Sequence, residues 1–485
     1  MRARWRWSGW VAALASCGCG IVDHARDPYA SAPPAAERPW TPPPDAMPAP
    51  AAVPGLRVTP EPERVYDLPA LLDLALRANP QTRRAWEQAR ASAARLGLAE
   101  SAWLPVLAVR AAGGTARLED RSATGPVYTA GPIVTSLFTL QWTLLDFGRR
   151  AADTDRATQE LLASNLQFNR THQDVTFAVQ RTFYAYDASR ARVDAEEATL
   201  EAAVAVEQAA DARMEQGLET QTQLLLARQE TARAQYELQA SRRGVADAGS
   251  ALAEALGISP AALPRTVALA DVPLPSGLAV SVEDAMDTAL AARPDLAARL
   301  ATLRAREAEV RRARAEFRPR IGLTGVGGAT AGRFKPQNVD KRFGYTEPLY
   351  AGFLEFSWTL FDGFARENAV RAAEAKRGEA EAEVTALQLE TLRTVWKAYA
   401  DVQVALLQVD FAQALLDTSE DAYEAAFTSY TAGLADILDL LAAERELARA
   451  RMIRIDSRAE LLNSAAALAF AIGDSGQTVV QPAAR

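Results

Sequence analysis

Side chains able to do covalent or metal chemistry are few in this chain and lie far apart. Two cysteines, Cys17 and Cys19, and two histidines, His24 and His172, are all that 485 residues hold. Thiols confined to the first twenty residues can build neither a disulfide framework nor a thiolate metal site within a fold. His172 stands alone in a long helix-forming run and reads as a solvated or lumen-facing side chain rather than a ligand. No nucleophile elbow, phosphate-cradling glycine loop or zinc-helix motif occurs. The chain is expected to be no enzyme and to need no cofactor. A net charge of −8, with basic residues spread along the sequence, points away from nucleic acid.

One cysteine does suggest a chemistry. Met1-Arg-Ala-Arg-Trp-Arg is a cationic start, and Trp7 to Ser16 is an apolar run too short to span a bilayer but suited to a signal peptide, 1–16. It ends in Leu14-Ala-Ser-Cys17, which resembles the bacterial lipobox, so Cys17 is the expected lipidation site and the mature N-terminus; Cys19 follows a poorer match. From Pro28 to Pro62 come twelve prolines and almost no large apolar side chains. Such a stretch cannot bury enough surface to offset its ordering entropy, so 17–65 reads as a lipidated N-terminus and extended tether.

The other candidates surround two glycines 216 residues apart, Gly217-Leu218 and Gly433-Leu434. Each interrupts a long helix-forming run, and glycine reaches the left-handed conformation that ends a helix at little steric cost. Each run is expected to fold back there. Between Gly148 and Gly217 there is no glycine or proline, which predicts a helix about 100 Å long. In the matching run from Ala365 to Ala432, Gly378 is the one candidate break. Helices this long need lateral packing, for which Leu224, Leu225, Leu438 and Leu441 are candidate knobs.

The same order of elements occurs twice. Leu71 to Pro80 corresponds to Ala285 to Pro294, Pro105 to Pro319, Trp142 to Trp358, and Gly257 to Gly473. Repeat one is 66–258 and repeat two 281–473, with a linker at 259–280 and a tail at 474–485. Ahead of each tryptophan the period is two. Val134, Phe138, Leu140, Trp142 and Leu144 oppose Thr135, Thr139, Gln141 and Thr143, and Leu354, Phe356, Trp358 and Leu360 oppose Glu355, Ser357 and Thr359. One apolar and one wet face over about ten residues suit a transmembrane β-strand. Arg117 to Gly131 and Arg333 to Tyr345, rich in Gly, Pro and charge, are expected to be extracellular loops. Four strands per chain cannot sit open in lipid, because edge amides and carbonyls would lack partners. Three copies give twelve strands. The expected fold is therefore a membrane α+β homotrimer, a 12-stranded β-barrel continued by a long α-helical barrel of coiled coils, with internal duplication.

The repeat, the strand ends Leu144-Leu-Asp-Phe-Gly and Leu360-Phe-Asp-Gly-Phe, and the Gly-Leu turns resemble the TolC-like outer-membrane efflux family. The lipobox makes the chain similar to the lipoprotein members that serve RND-type tripartite pumps. The resemblance implies a passive homotrimeric exit duct in the outer membrane with a periplasmic helical domain. Its tip, at Gly217, Leu218, Gly433 and Leu434, would meet a periplasmic adaptor and an inner-membrane pump. It also implies a gate. The family's aspartate falls on Asp439, Asp436 lies one turn before it, and Gln223 replaces the first-repeat acid. Ala435 and Ala442 stand where the family has further charges, so the family's gate ion pairs cannot be carried over, and whether the gate uses ion pairs stays open. Two alternatives are an exit duct for type I protein secretion and a lipid-anchored coiled-coil scaffold without a pore. The transported substrate is not encoded in any motif.

Overall fold

A computed structural model describes residues 60–61, 63–122, 125–268, 273–336, 341–473 and 480–482; Cys17, Cys19, His24, the signal peptide and nearly all of the tether lie outside them. A short strand β1 (Val65–Tyr66) leads to helices α1 (Leu68–Ala78) and α2 (Pro80–Ser101), the hairpin β2 (Val106–Ser122) and β3 (Gly125–Leu145), and helices α3 (Arg149–Glu215) and α4 (Gln221–Leu256). After β4 (Arg265–Thr266) and β5 (Pro275–Leu278) the order recurs: α5 (Val282–Ala292), α6 (Pro294–Ala315), β6 (Arg320–Pro336), β7 (Phe343–Ser357), α7 (Ala365–Thr431) and α8 (Ile437–Ile472). A last strand, β8, spans Val480–Pro482.

The two long helices have 67 residues each and their return helices 36, so each return helix accompanies only the half next to the turn. Alongside the other half of α3 lies α2, and alongside that of α7 lies α6. Where α4 ends, α2 begins: Asn79 caps α2 by accepting from Gln81 N at 2.8 Å and donates its Nδ2 to Ala255 O at 2.8 Å. Gly257, at φ +73°, turns the chain there so close to Asn79 that a Cβ would meet the Asn79 backbone. The second repeat makes the equivalent joint with Gly473 against Arg293, whose Nη1 donates to Ala471 O at 3.2 Å. Fully buried Leu71, Val179, Phe183, Leu252 and Leu256 lie beneath the first joint, each worth about 1.5–3 kcal/mol of apolar burial.

Gly378 does not break α7. An exposed interior glycine costs about 1 kcal/mol relative to alanine, and the surrounding Ala, Glu, Lys and Arg favour helix strongly enough to carry it. Two of the four proposed knobs are buried, Leu224 and Leu441, whereas Leu225 and Leu438 are more than half exposed in the single chain.

The sheet runs β2-β3-β6-β7, antiparallel throughout, with β2 and β7 as its edges. Val134, Phe138, Trp142 and Leu144 of β3 and Leu354 and Phe356 of β7 are exposed, an apolar outer face. Thr135 and Thr139 point the other way, and Thr135 Oγ1 lies 3.3 Å from Thr330 Oγ1 on the next strand. Two expectations need correction. Trp358 and Leu360 lie past the end of β7 at Ser357, although both are exposed. Most of the supposed loops is strand, since the ladders continue to the pairs Ser122↔Gly125 and Phe334↔Phe343. Once the alternating stretches fix the register, extending the ladder satisfies backbone groups that a loop would leave to water. Pro132, which has no N–H to give, falls where β3 skips pairing with β6. Two further pairings were not expected: β1 with β4 in parallel and β5 with β8 antiparallel, which draw the linker 259–280 onto the start and the end of the described chain.

Candidate functional site at the paired helix turns

Both turns use the same backbone device. After α3, Gly217 takes φ +73°, Gly217 N donates to Met214 O at 2.9 Å and Leu218 N to Arg213 O at 2.9 Å. After α7, Gly433 takes φ +76°, with Gly433 N to Tyr430 O at 3.0 Å and Leu434 N to Ser429 O at 2.8 Å. These bonds satisfy the carbonyls left over at a helix end. Nothing lies within 4 Å of a Cβ built on Gly217, so its backbone angle alone requires glycine. Behind the turns, Val206, Ala210, Leu224, Tyr430, Ile437, Leu440 and Leu441 form one core drawn from all four long helices. Leu218 and Leu434, 63% and 84% exposed, project from the two turns as a matched apolar pair.

The return helices start differently. Thr220 caps α4 in a reciprocal box: Thr220 N donates to Gln223 Oε1 at 2.8 Å and Gln223 N to Thr220 Oγ1 at 3.4 Å. With its oxygen so used, Gln223 turns its amide outward, and Nε2 donates to Asp436 Oδ1 at 3.3 Å. Asp436 occupies the N-cap position of α8 but makes no side-chain cap bond. Its carboxylate serves the other repeat instead. Asp439 follows in the first turn of α8, exposed, where a negative charge complements the helix dipole. The structure thus joins Gln223 to Asp436 and leaves Asp439 facing away into solvent.

An ion pair does form at the tip, from residues outside the family's gate positions, with its arginine on the other side of the first glycine. Arg213, in the last turn of α3, pairs with Glu219 at 3.2 Å, donates Nη1 to Tyr430 O at 2.8 Å and lies over the Tyr430 ring at 4.9 Å. Glu219 is 3% exposed and Arg213 19%, so this pair is shielded from water. One side chain therefore bonds both turns. Burial, and next the Glu219 carboxylate, push the Tyr430 hydroxyl up to about 12, so it stays protonated through any physiological range. The available signal was position: a basic residue in the last helical turn can reach the free carbonyls of a helix end.

At the other end of the long helices a second constellation escaped sequence reading. Arg150, buried, donates Nε to Asp146 Oδ2 at 2.9 Å, Nη1 to Thr143 O at 2.6 Å and Nη2 to Leu144 O at 3.1 Å, and lies over Trp103 at 4.4 Å. In repeat two, Arg366 binds Asp362 at 2.8 Å and Thr359 O at 2.7 Å over Phe317. Each arginine fastens strand to helix across two successive left-handed residues, Phe147-Gly148 and Gly363-Phe364.

His172 is half-buried and edge-on to Phe168 at 4.4 Å, and burial lowers its pKa. Among the described residues no group of His, Cys, Asp and Glu is placed to hold a metal ion, and no helix is long and apolar enough to cross a membrane.

The profile of the family described as outer membrane efflux protein matches residues 71–258 and 285–474. Protein CyaE of Bordetella pertussis is 29% identical over 433 residues, 87% of each chain. The pyoverdine export outer membrane protein OpmQ of Pseudomonas putida is 30% identical over 344 residues, 69% of each. In fold, the chain is similar to the outer membrane protein VceC of Vibrio cholerae, with a TM-score of 0.70 at 21% identity over 84% of this chain and 96% of that one. With both repeats matched, and a sheet whose exposed face is apolar, the chain belongs to the outer membrane efflux protein family and is a channel component of efflux in the outer membrane.

Proposed function

We propose that three copies assemble into a passive exit duct, with twelve strands closing a barrel and twelve long helices continuing it as a tunnel. The observation that carries this reading is the four-stranded sheet with an apolar outer face and two unpaired edges. Its strands alternate in direction, so β7 of one copy meets β2 of the next antiparallel and the alternation continues around the ring. Two copies would give eight strands, whose interior side chains can fill; twelve leave a lumen. A periplasmic scaffold without a pore would leave the sheet's apolar face and both of its edges in water, which disfavours that alternative.

In this reading Leu218 and Leu434, beside Gly217 and Gly433, are the apolar contacts for a periplasmic adaptor, and an inner-membrane pump, RND in type, supplies the energy. Cys17 carries the lipid that, with the proline-rich tether, holds the chain to the outer membrane. Similarity to a protein named for pyoverdine export favours small-molecule cargo over protein secretion.

Asp439 and Asp436 from three copies would place six carboxylates around the tunnel mouth, favouring cations. The purified protein is expected to run as a trimer and to conduct in planar bilayers with cation preference. Asp439→Ala should weaken that preference and change conductance. A monomer without conductance would sink the duct, whereas an unaltered preference would remove only Asp439 from the constriction. A cysteine placed at Ala123, between β2 and β3 in the sequence, should be labelled from outside intact cells.

A further inference from the structure

Behind the tip core, α3, α4 and α8 line a half-open cleft of about 420 Å³. That volume falls within the range of small-molecule sites. Glu444 of α8 lines it, only 6% exposed, and its Oε2 has no hydrogen-bond partner. A buried carboxylate oxygen without a donor is costly, and native structures rarely tolerate one. The neighbouring charges do not supply that donor. Arg445 is committed to Glu230, donating Nε to Glu230 Oε1 at 3.0 Å. Apart from that pair, the lining carries the carboxylates of Glu196, Glu237, Glu444 and Glu446 against the guanidiniums of Arg233 and Arg449. Tyr423 of α7 is raised by burial and next by the Glu444 charge, which Arg451 partly offsets. Burial, then Glu230, push Glu444 up to about 7 against the opposing pull of Arg445. Burial and Glu237 likewise raise Glu196.

We propose that this cleft binds an organic cation whose ammonium group donates to Glu444, with its hydrocarbon part against Ala234, Ala448 and Met452. A bare metal ion fits poorly, because no three ligating side chains converge among the described residues. An amine brings its own N–H donors and meets the excess of carboxylate. The occupied cleft would join helices from both repeats just behind the turns. This goes beyond the duct reading and does not depend on it, since the cleft is built within one chain.

The test uses the full-length protein in detergent, titrated calorimetrically with 1,5-diaminopentane, with 1,5-pentanediol and Mg²⁺ as controls. At pH 8 the diamine should bind and raise the melting temperature while the diol and Mg²⁺ do not. Glu444→Gln should bind about tenfold more weakly or worse, the loss of one charge-assisted bond. The exposed Glu424→Gln should bind as wild type does. Asp439→Ala should also retain binding, separating the cleft from the tip aspartates. Without the diamine, Glu444→Gln should melt higher than wild type at pH 8, because it removes a buried charge. Independently of any variant, wild-type affinity should fall at least tenfold between pH 8 and pH 5.5 as Glu444 takes up its proton. No diamine binding at pH 8, equal affinity in Glu444→Gln, equal effects of Mg²⁺, or a wild-type affinity flat with pH would each overturn the proposal.

Discussion

Arg150→Ala is expected to destabilise the fold by about 3–5 kcal/mol, the cost of stranding one partner of a buried ion pair. Side-chain exposures of 9% for Arg150 and 6% for Asp146 leave little water to take over. The variant also abandons the carbonyls of Thr143 and Leu144 at the strand end. Arg150→Lys keeps the charge but cannot reach several acceptors at once, so it should fall between wild type and alanine. Arg366→Ala is the internal control. Its pair with Asp362 is more exposed, at 13% and 23%, so the loss should be smaller. Thermal unfolding in detergent measures all three. Equal melting temperatures for wild type and Arg150→Ala would show that the fastening carries no stability.

The second large effect lies at the helix joints. Any side chain at Gly217 or Gly257 must adopt the left-handed conformation, a cost of about 1–2 kcal/mol. At Gly217 that is the whole expected cost, since its Cβ would meet nothing. At Gly257 an added Cβ would lie 2.7 Å from Asn79 Cα and 3.0 Å from the Ala78 carbonyl carbon, both backbone atoms that cannot swing aside. Overpacking of this kind adds about 1–3 kcal/mol. Gly257→Ala should therefore cost about 2–5 kcal/mol and disturb the Asn79 bond to Ala255, while Gly217→Ala stays near the lower figure. Gly473→Ala should fall between them, since its nearest neighbour is the flexible Cγ of Arg293 at 2.9 Å. Identical losses at 217 and 257 would show that the two helices do not abut as described.

Both joints were visible in the sequence as glycines with a fixed offset, but what they touch was not. The same division holds elsewhere. Helix ends, the alternation in β3 and the duplication depend on local pattern, so they could be read directly. The hairpin ends were misread because Gly, Pro and charge mark loops only where no ladder is available to absorb them. Trp358 and Leu360 keep the strand's alternation one to three residues after pairing has stopped. Gln223 was legible as a departure from the family acid, yet its bond to Asp436 spans 213 residues and leaves no local trace. Arg213 and Arg150 were missed for a related reason. Each acts largely on backbone carbonyls, acceptors that every residue possesses, and the only local sign of Arg150 is an Asp-x-x-x-Arg spacing common to many helix starts.

Phe147-Gly148 and Gly363-Phe364 hold the same pair of left-handed residues in opposite order. Measured from the aspartate that each arginine binds, the halves stand 216 apart; measured from these glycines, 215. Superposing the halves on glycine would thus slip them by one residue. In a strand of period two, that slip exchanges the lipid face for the lumen face. The Asp-x-x-x-Arg spacing is the reliable ruler for this corner, and the glycine is not.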